Sequence, residues 1–276
     1  MKKLSFIAAF ALTSFLLNAQ QIKTPQASTT QTIKQNFSTG SIELDYSRPS
    51  MKGRKIFGDL VPFGKVWRTG ANNATTLNFS DDVTIGGKEI KAGKYGLLTI
   101  PGATEWTVII TKDLEVTSPA AYKAENDLVR VTVKPIAMPM TTETFTINFA
   151  NITGNSTDLW LTWENTRVAV PITTNTEGRV MAQIDESMNK DNRPYFASAQ
   201  YYYDNGKDLK KANEWVDKAI ATNPDAFWMT LLKARILAKS GDKAGAKAAA
   251  EKTIATATKA QNDDYVKMAN DLIKGL

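Results

Sequence analysis

Between residues 30 and 173 apolar and polar side chains alternate with a period of two, the spacing that places one set on each face of a β-sheet. Ile42, Leu44 and Tyr46 alternate with Ser41, Glu43 and Asp45. Residues 33–37 form a partner run joined to them through Ser38-Thr39-Gly40, which predicts a hairpin. Val83-Thr84-Ile85 and Lys88-Glu89-Ile90 flank Gly86-Gly87, a pair free to adopt the positive φ of a two-residue turn. Further strands are expected over residues 95–100, 106–111, 128–133, 144–149, 159–163 and 168–172. About nine or ten short strands with turn signals between them argue an all-β sandwich, jelly-roll-like, or an open barrel, and we favour the sandwich.

After Pro171 the pattern changes. A polar stretch, Thr173-Thr174-Asn175-Thr176-Glu177-Gly178, gives way to apolar spacing of three and four, so the β-domain is expected to span residues 20–175 and an α-helical domain residues 176–276. Val180, Ile184 and Met188 fall on one stripe of a first helix, and Pro194 suits the start of the next. The run from Ala212 to Thr222 lies over the run from Ala246 to Thr256 without a gap, at an offset of 34 that also superposes Asp208 on Asp242 and Tyr203 on Leu237. A 34-residue helix-turn-helix period, ending here in Asn223-Pro224, resembles the tetratricopeptide repeat. It predicts helix pairs over 195–203 with 209–222 and 226–239 with 243–258, closed by a helix over 263–274 whose Tyr265, Met268, Ala269 and Leu272 face inward.

Met1-Lys2-Lys3 followed by a short apolar run to Leu17 has the form of a secretory signal peptide over residues 1–19, with cleavage expected after Ala19. No apolar stretch reaches the roughly 20 residues that span a bilayer. The chain is therefore expected to be exported, periplasmic or secreted, with no transmembrane segment. It has no cysteine, which removes disulfides, thiol nucleophiles and a lipid anchor on a mature N-terminal cysteine. It has no histidine either, which removes the commonest metal ligand and the usual general base near neutral pH. No metal and no cofactor are expected. The formal charge of +6 includes Lys2 and Lys3, so the mature chain carries +4, too mild an excess to argue nucleic acid. The excess is local: Arg48, Lys52, Arg54, Lys55, Lys65 and Arg68 face the single acid Asp59 in that stretch.

Residues 31–172 resemble an uncharacterised bacterial family, domain of unknown function 2911. The residues that carry the resemblance are Leu44-Asp45-Tyr46-Ser47-Arg48-Pro49-Ser50, Lys52-Gly53-Arg54-Lys55-Ile56-Phe57-Gly58-Asp59-Leu60-Val61-Pro62-Phe63-Gly64-Lys65-Val66-Trp67-Arg68-Thr69-Gly70-Ala71-Asn72-Asn73-Ala74-Thr75, and Ala92-Gly93-Lys94-Tyr95 leading into Trp106-Thr107-Val108-Ile109. The resemblance implies an exported protein of the Bacteroidota with a helical-repeat tail. It implies no activity.

The connection from Arg48 to Asn73 is the candidate ligand site, because it is long for a link between two strands and concentrates Arg48, Arg54, Lys65, Trp67, Arg68, Asn72 and Asn73. Arginine forks and asparagine amides bind carboxylates, phosphates and sugar hydroxyls, and an indole offers a platform to a pyranose or a cation. The same residues also allow a bland reading, in which Trp67, Phe57 and Val61 plug one end of the sandwich and the cations are merely solvated. On the helices, Tyr195, Tyr202 and Trp228 are candidates for a partner surface, although aromatic residues at helical spacing also serve as core. Glu214 and Lys218 have the i, i+4 spacing of a surface ion pair.

Gly-x-Ser-x-Gly, the P-loop and Gly-x-Gly-x-x-Gly are absent from the sequence. The expected role is that of a non-enzymatic binding or scaffold protein of the envelope, with an anionic or glycan ligand on the β-domain and a protein or peptide partner on the helices. The alternative is a carbohydrate-active or other hydrolase using acids drawn from Glu43, Asp45, Asp59, Glu105 and Glu164. Glu43 and Asp45 share a strand face opposite the apolar one, which also suits plain solvent exposure.

Overall fold

A computed structural model describes residues 24–276, so the expected signal peptide and its cleavage position lie outside the described residues. The chain divides into two compact units, meeting in sequence between Thr174 and Asn175. Among its described residues the first holds ten strands: β1 (Thr29–Phe37), β2 (Gly40–Arg48), β3 (Thr75–Phe79), β4 (Val83–Ile85), β5 (Lys88–Ile90), β6 (Gly93–Ile100), β7 (Trp106–Thr111), β8 (Asp127–Val133), β9 (Ile136–Ala150) and β10 (Ser156–Thr173). They form a six-stranded sheet, β1-β2-β3-β6-β7-β8, and a four-stranded sheet, β5-β4-β10-β9, with every strand pairing antiparallel. The two inner faces bury one core, to which Leu44, Leu77 and Leu97 come from the larger sheet and Phe145, Leu161 and Val170 from the smaller.

Both predicted hairpins form. Phe37 pairs with Gly40 across Ser38-Thr39, and Ile85 pairs with Lys88 across Gly86 and Gly87, both of which have positive φ. β3 is a strand the period-two reading did not set apart; its Leu77 and Phe79 enter the core between Leu44 and Tyr95 neighbours on β2 and β6. The separate strands expected at 159–163 and 168–172 are one strand, β10, with irregular pairing on either side of Glu164, whose φ is 53°. Leu159, Leu161 and Trp163 face the core before the irregularity and Val168, Val170 and Ile172 after it. Odd positions become even ones because the bulged residues reset the alternation.

The two sheets are tied together where β2 ends. Tyr46 Oη accepts from Ile147 N (3.0 Å) and Arg48 donates to Phe145 O (3.2 Å) and Thr146 Oγ1 (3.0 Å), all on β9. The chain then leaves the larger sheet and runs beside β9, with Phe145 N donating to Pro49 O and Met51 N to Glu143 O, each 2.8 Å.

The second unit consists of α1 (Thr176–Met188), α2 (Tyr195–Asp204), α3 (Leu209–Thr222), α4 (Phe227–Lys239), α5 (Lys243–Lys259) and α6 (Asp263–Lys274). Asn175, Asp208, Asp242 and Asn262 cap α1, α3, α5 and α6 by accepting from first-turn N–H groups. Ile184 on α1 is buried with Tyr202, Val216 and Ile236, and Ala269 on α6 with Leu231 and Ala250. Among the described residues no helix is long and apolar enough to cross a membrane.

Candidate functional site

The segment between β2 and β3 is folded tightly rather than loosely draped. Ile56, Phe57 and Val61 enter the sandwich core, and a short turn is closed by Val61 N donating to Ile56 O (2.9 Å) and Gly58 N to Val61 O (3.0 Å). Phe57 N donates to Glu164 Oε2 (3.3 Å), so the β10 bulge holds this turn from beneath. Trp67 then exchanges two backbone hydrogen bonds with Thr99 on β6, of 2.7 and 3.0 Å. Thr69 follows at φ 57°, unfavourable for a β-branched residue, yet it is fully buried and held by its hydroxyl donating to Thr99 Oγ1 (3.1 Å) and its carbonyl accepting from Thr75 Oγ1 (2.6 Å). A backbone so fixed presents its side chains in a set geometry.

These folds leave a cleft of about 380 Å³, lined by Lys52, Arg54, Leu60, Trp67 and Arg68 from the segment and by Trp163 from β10. Its floor is aromatic: Trp67 stacks on Trp163, and both rings also meet Phe57 and Phe145. Its rim is basic. Arg54 donates to Ser50 O (2.7 Å) and Met51 O (2.8 Å), and Arg68 donates to Thr117 O (2.7 Å). Arg68 Nε is buried with no hydrogen-bond partner. Neither Lys52, Arg54 nor Arg68 forms an ion pair among the described residues, and no acidic residue lines the cleft. The bordering carboxylates of Glu143 and Glu164 face backbone N–H groups, those of Lys52 and Phe57 respectively. Such a site can hold a carboxylate or phosphate against an apolar surface.

Of the residues expected to form this site, the cleft gathers Arg54, Trp67 and Arg68. Arg48 instead ties the two sheets together, Lys65 is exposed and does not line the cleft, and Asn72 donates its amide to Ser28 O (3.1 Å) and Ser47 Oγ (3.4 Å). Asn73 opens onto a different groove of about 470 Å³ on the outer side of the larger sheet, shared with Asp45, Lys94 and Glu115. Trp163 and Leu60 were not legible as site residues, because one lies some 100 positions away and the other looks like any core leucine.

The family model described as "Protein of unknown function (DUF2911)" matches residues 28–172. The chain belongs to this family. No curated protein and no solved structure matches it. The DUF2911 match spans both sheets and the whole basic segment, and the six helices lie beyond it. On those helices the three candidate aromatics part company. Tyr202 is buried edge-on against Trp215 (4.8 Å), Trp228 is 37% exposed beside Phe227, and Tyr195 lines a groove with residues of α1 and α3. Lys218 does not pair with Glu214 and lies instead over the ring of Tyr195, 5.3 Å from its centroid.

Proposed function

We propose that this chain is an exported binding protein of the bacterial envelope that acts without catalysis. Its β-unit takes an anionic ligand, an acidic glycan or a peptide carboxylate, in the basic cleft. Its helical unit is of tetratricopeptide type and holds a protein partner. The observation that carries the reading is the cleft itself: Lys52, Arg54 and Arg68 stand over an aromatic floor with no acidic partner among the described residues. A solvated cation needs no explanation. Three cations grouped beside two indoles without an acidic counterpart are accounted for by a ligand that brings the negative charge.

The repeat reading draws support from equivalent residues. Asp208 and Asp242 both cap a helix, Ala212 and Ala246 are both fully buried, and so are Val216 and Ala250. Each helix from α2 onward packs on the next, and α2 and α4 also touch α4 and α6, as a stacked array requires.

The test is retention of the full mature chain on an array of acidic and neutral glycans and peptides. Arg54→Gln and Arg68→Gln are expected to abolish retention of anionic probes while leaving the fold intact. Equal retention by the wild type and both variants overturns the cleft reading. A hydrolytic alternative has one observation of its own, the juxtaposition of Asp45 and Glu115 in the outer groove. Turnover of any retained glycan that is lost in Asp45→Asn and Glu115→Gln would replace binding by catalysis.

A further inference from the structure

A groove with basic and aromatic lining lies between α1, α2 and α3. It measures about 410 Å³ and is lined by Asp185, Arg193, Tyr195, Lys211, Trp215 and Lys218 among others. Lys211, Trp215 and Lys218 recur at i, i+4 and i+7 on α3, so they form one stripe. Each cation is positioned by an aromatic ring. Lys211 Nζ lies 4.9 Å from the centroid of Trp215, Lys218 Nζ 5.3 Å from that of Tyr195, and Arg193 donates to Tyr195 Oη (3.3 Å). None of the three forms an ion pair among the described residues, and one acid, Asp185, lines the groove against them.

The 34-residue period supplies an internal comparison. The groove between α3, α4 and α5, of about 470 Å³, is lined at the corresponding positions by Gly245, Ala249 and Lys252. Repetition has kept the architecture and one cation there, and has lost the indole and the other cation. Lys233 in that second groove is already paired with Asp217 (2.6 Å). The basic, ring-braced arrangement is therefore a property of the first groove and not of helix stacking as such.

We propose that the groove between α1, α2 and α3 receives an acidic segment of a partner protein, its carboxylates meeting Lys211, Lys218 and Arg193. This rests on the reading of the helical unit as a partner-binding module. Seven helical residues separate the two lysines by about 10 Å along the axis, which corresponds to about three residues of an extended chain. The matching segment carries two acids separated by one or two residues. Rings that already restrict the lysine side chains reduce the rotamer entropy lost when the carboxylates dock.

The test is fluorescence anisotropy of a fluorescein-labelled hexaglutamate titrated with the full mature chain at low salt, with hexalysine and an uncharged apolar hexapeptide as comparison probes. Lys211→Gln and Lys218→Gln are each expected to weaken hexaglutamate binding about three- to tenfold, the range of a single charge-assisted contact. The titrations are made in the Arg54→Gln, Arg68→Gln background, which removes anion binding by the β-unit cleft, and Lys252→Gln in the second groove is expected to stay within about twofold on the same scale. An equal loss in Lys252→Gln overturns the inference, as does undiminished binding by both α3 variants. If hexaglutamate fails while another probe binds through helical residues outside this groove, the acidic segment is wrong and the partner-binding reading stands. If no probe binds and photo-crosslinkers placed along α2 to α5 capture nothing from the native envelope, both fall.

Discussion

Trp67 and Trp163 lie with ring centroids 5.9 Å apart and planes 19° from parallel, one carried by the segment after β2 and the other by the strand β10 at its bulge. The contact joins the cleft to the sandwich core. Trp67 also donates its indole N–H to Gly70 O (3.0 Å), which steadies the backbone just after Arg68. Trp67→Ala is expected to lower the unfolding free energy by about 3 kcal/mol, the lower end for a large aromatic because the ring is only partly buried. Chemical denaturation of the purified chain checks it; a change under about 1 kcal/mol would mean the stack is incidental.

Tyr46 reaches from one sheet to the other. Its hydroxyl donates to Gln31 Oε1 (2.9 Å) and accepts from the buried Ile147 N–H. Tyr46→Phe leaves that N–H without its partner and is expected to cost about 1–3 kcal/mol. Burial raises the phenol's pKa above its ordinary value. The folded chain thus resists ionisation that the unfolded chain undergoes near pH 10, so the contribution is complete below that pH and is lost as pH rises toward the raised folded value. The alkaline fall in melting temperature should be shallower in Tyr46→Phe than in the wild type; parallel profiles would contradict this.

Gly86 and Gly87 share one hairpin but not one environment. Both have positive φ, yet a Cβ on Gly86 would lie 2.5 Å from Val131 Cγ2, whereas one on Gly87 would meet nothing within 4 Å. Gly87→Ala should cost about 1 kcal/mol, the backbone strain alone. Gly86→Ala should cost clearly more, because Val131 has to move as well. Melting temperatures that rank the two variants the other way would reject this account of the turn.

The caps of α3 and α5 offer a check on the repeat. Asp208 accepts from the N–H groups of Lys210 and Lys211, and Asp242 from that of Gly245. Asp208→Ala and Asp242→Ala should each cost about 1 kcal/mol, since both remove a helix N-cap at the same place in the 34-residue period. Thermal melts followed by circular dichroism would expose a cap that contributes nothing.

Much of the fold was legible in local pattern. The hairpins at Ser38-Thr39 and Gly86-Gly87 formed because turn chemistry is a property of adjacent residues. The predicted helices from Leu209 to Thr222 and from Asp263 to Lys274 have those bounds in the structure, because a capping side chain and an apolar stripe act within a few residues of each other. β10 was less legible. Its alternation changes parity around Glu164, and period alone cannot distinguish a bulge within one strand from a gap between two.

The sequence by itself determined that a strand-rich region precedes a helical one, that residues 212–222 can be laid over 246–256 at an offset of 34, and that basic and aromatic residues crowd the segment between Arg48 and Asn73. Only the tertiary structure decided which of those residues share a cleft. Arg48 was drawn to the β9 carbonyls and Asn73 to the outer face of the sheet, while Trp163 and Leu60 came to stand beside Arg54 and Arg68. Composition records charge, but direction comes from hydrogen bonds between distant strands. Lys218 makes the same point on the helices: its spacing from Glu214 suggests an intrahelical pair, and the ring of Tyr195, from a neighbouring helix, holds it instead.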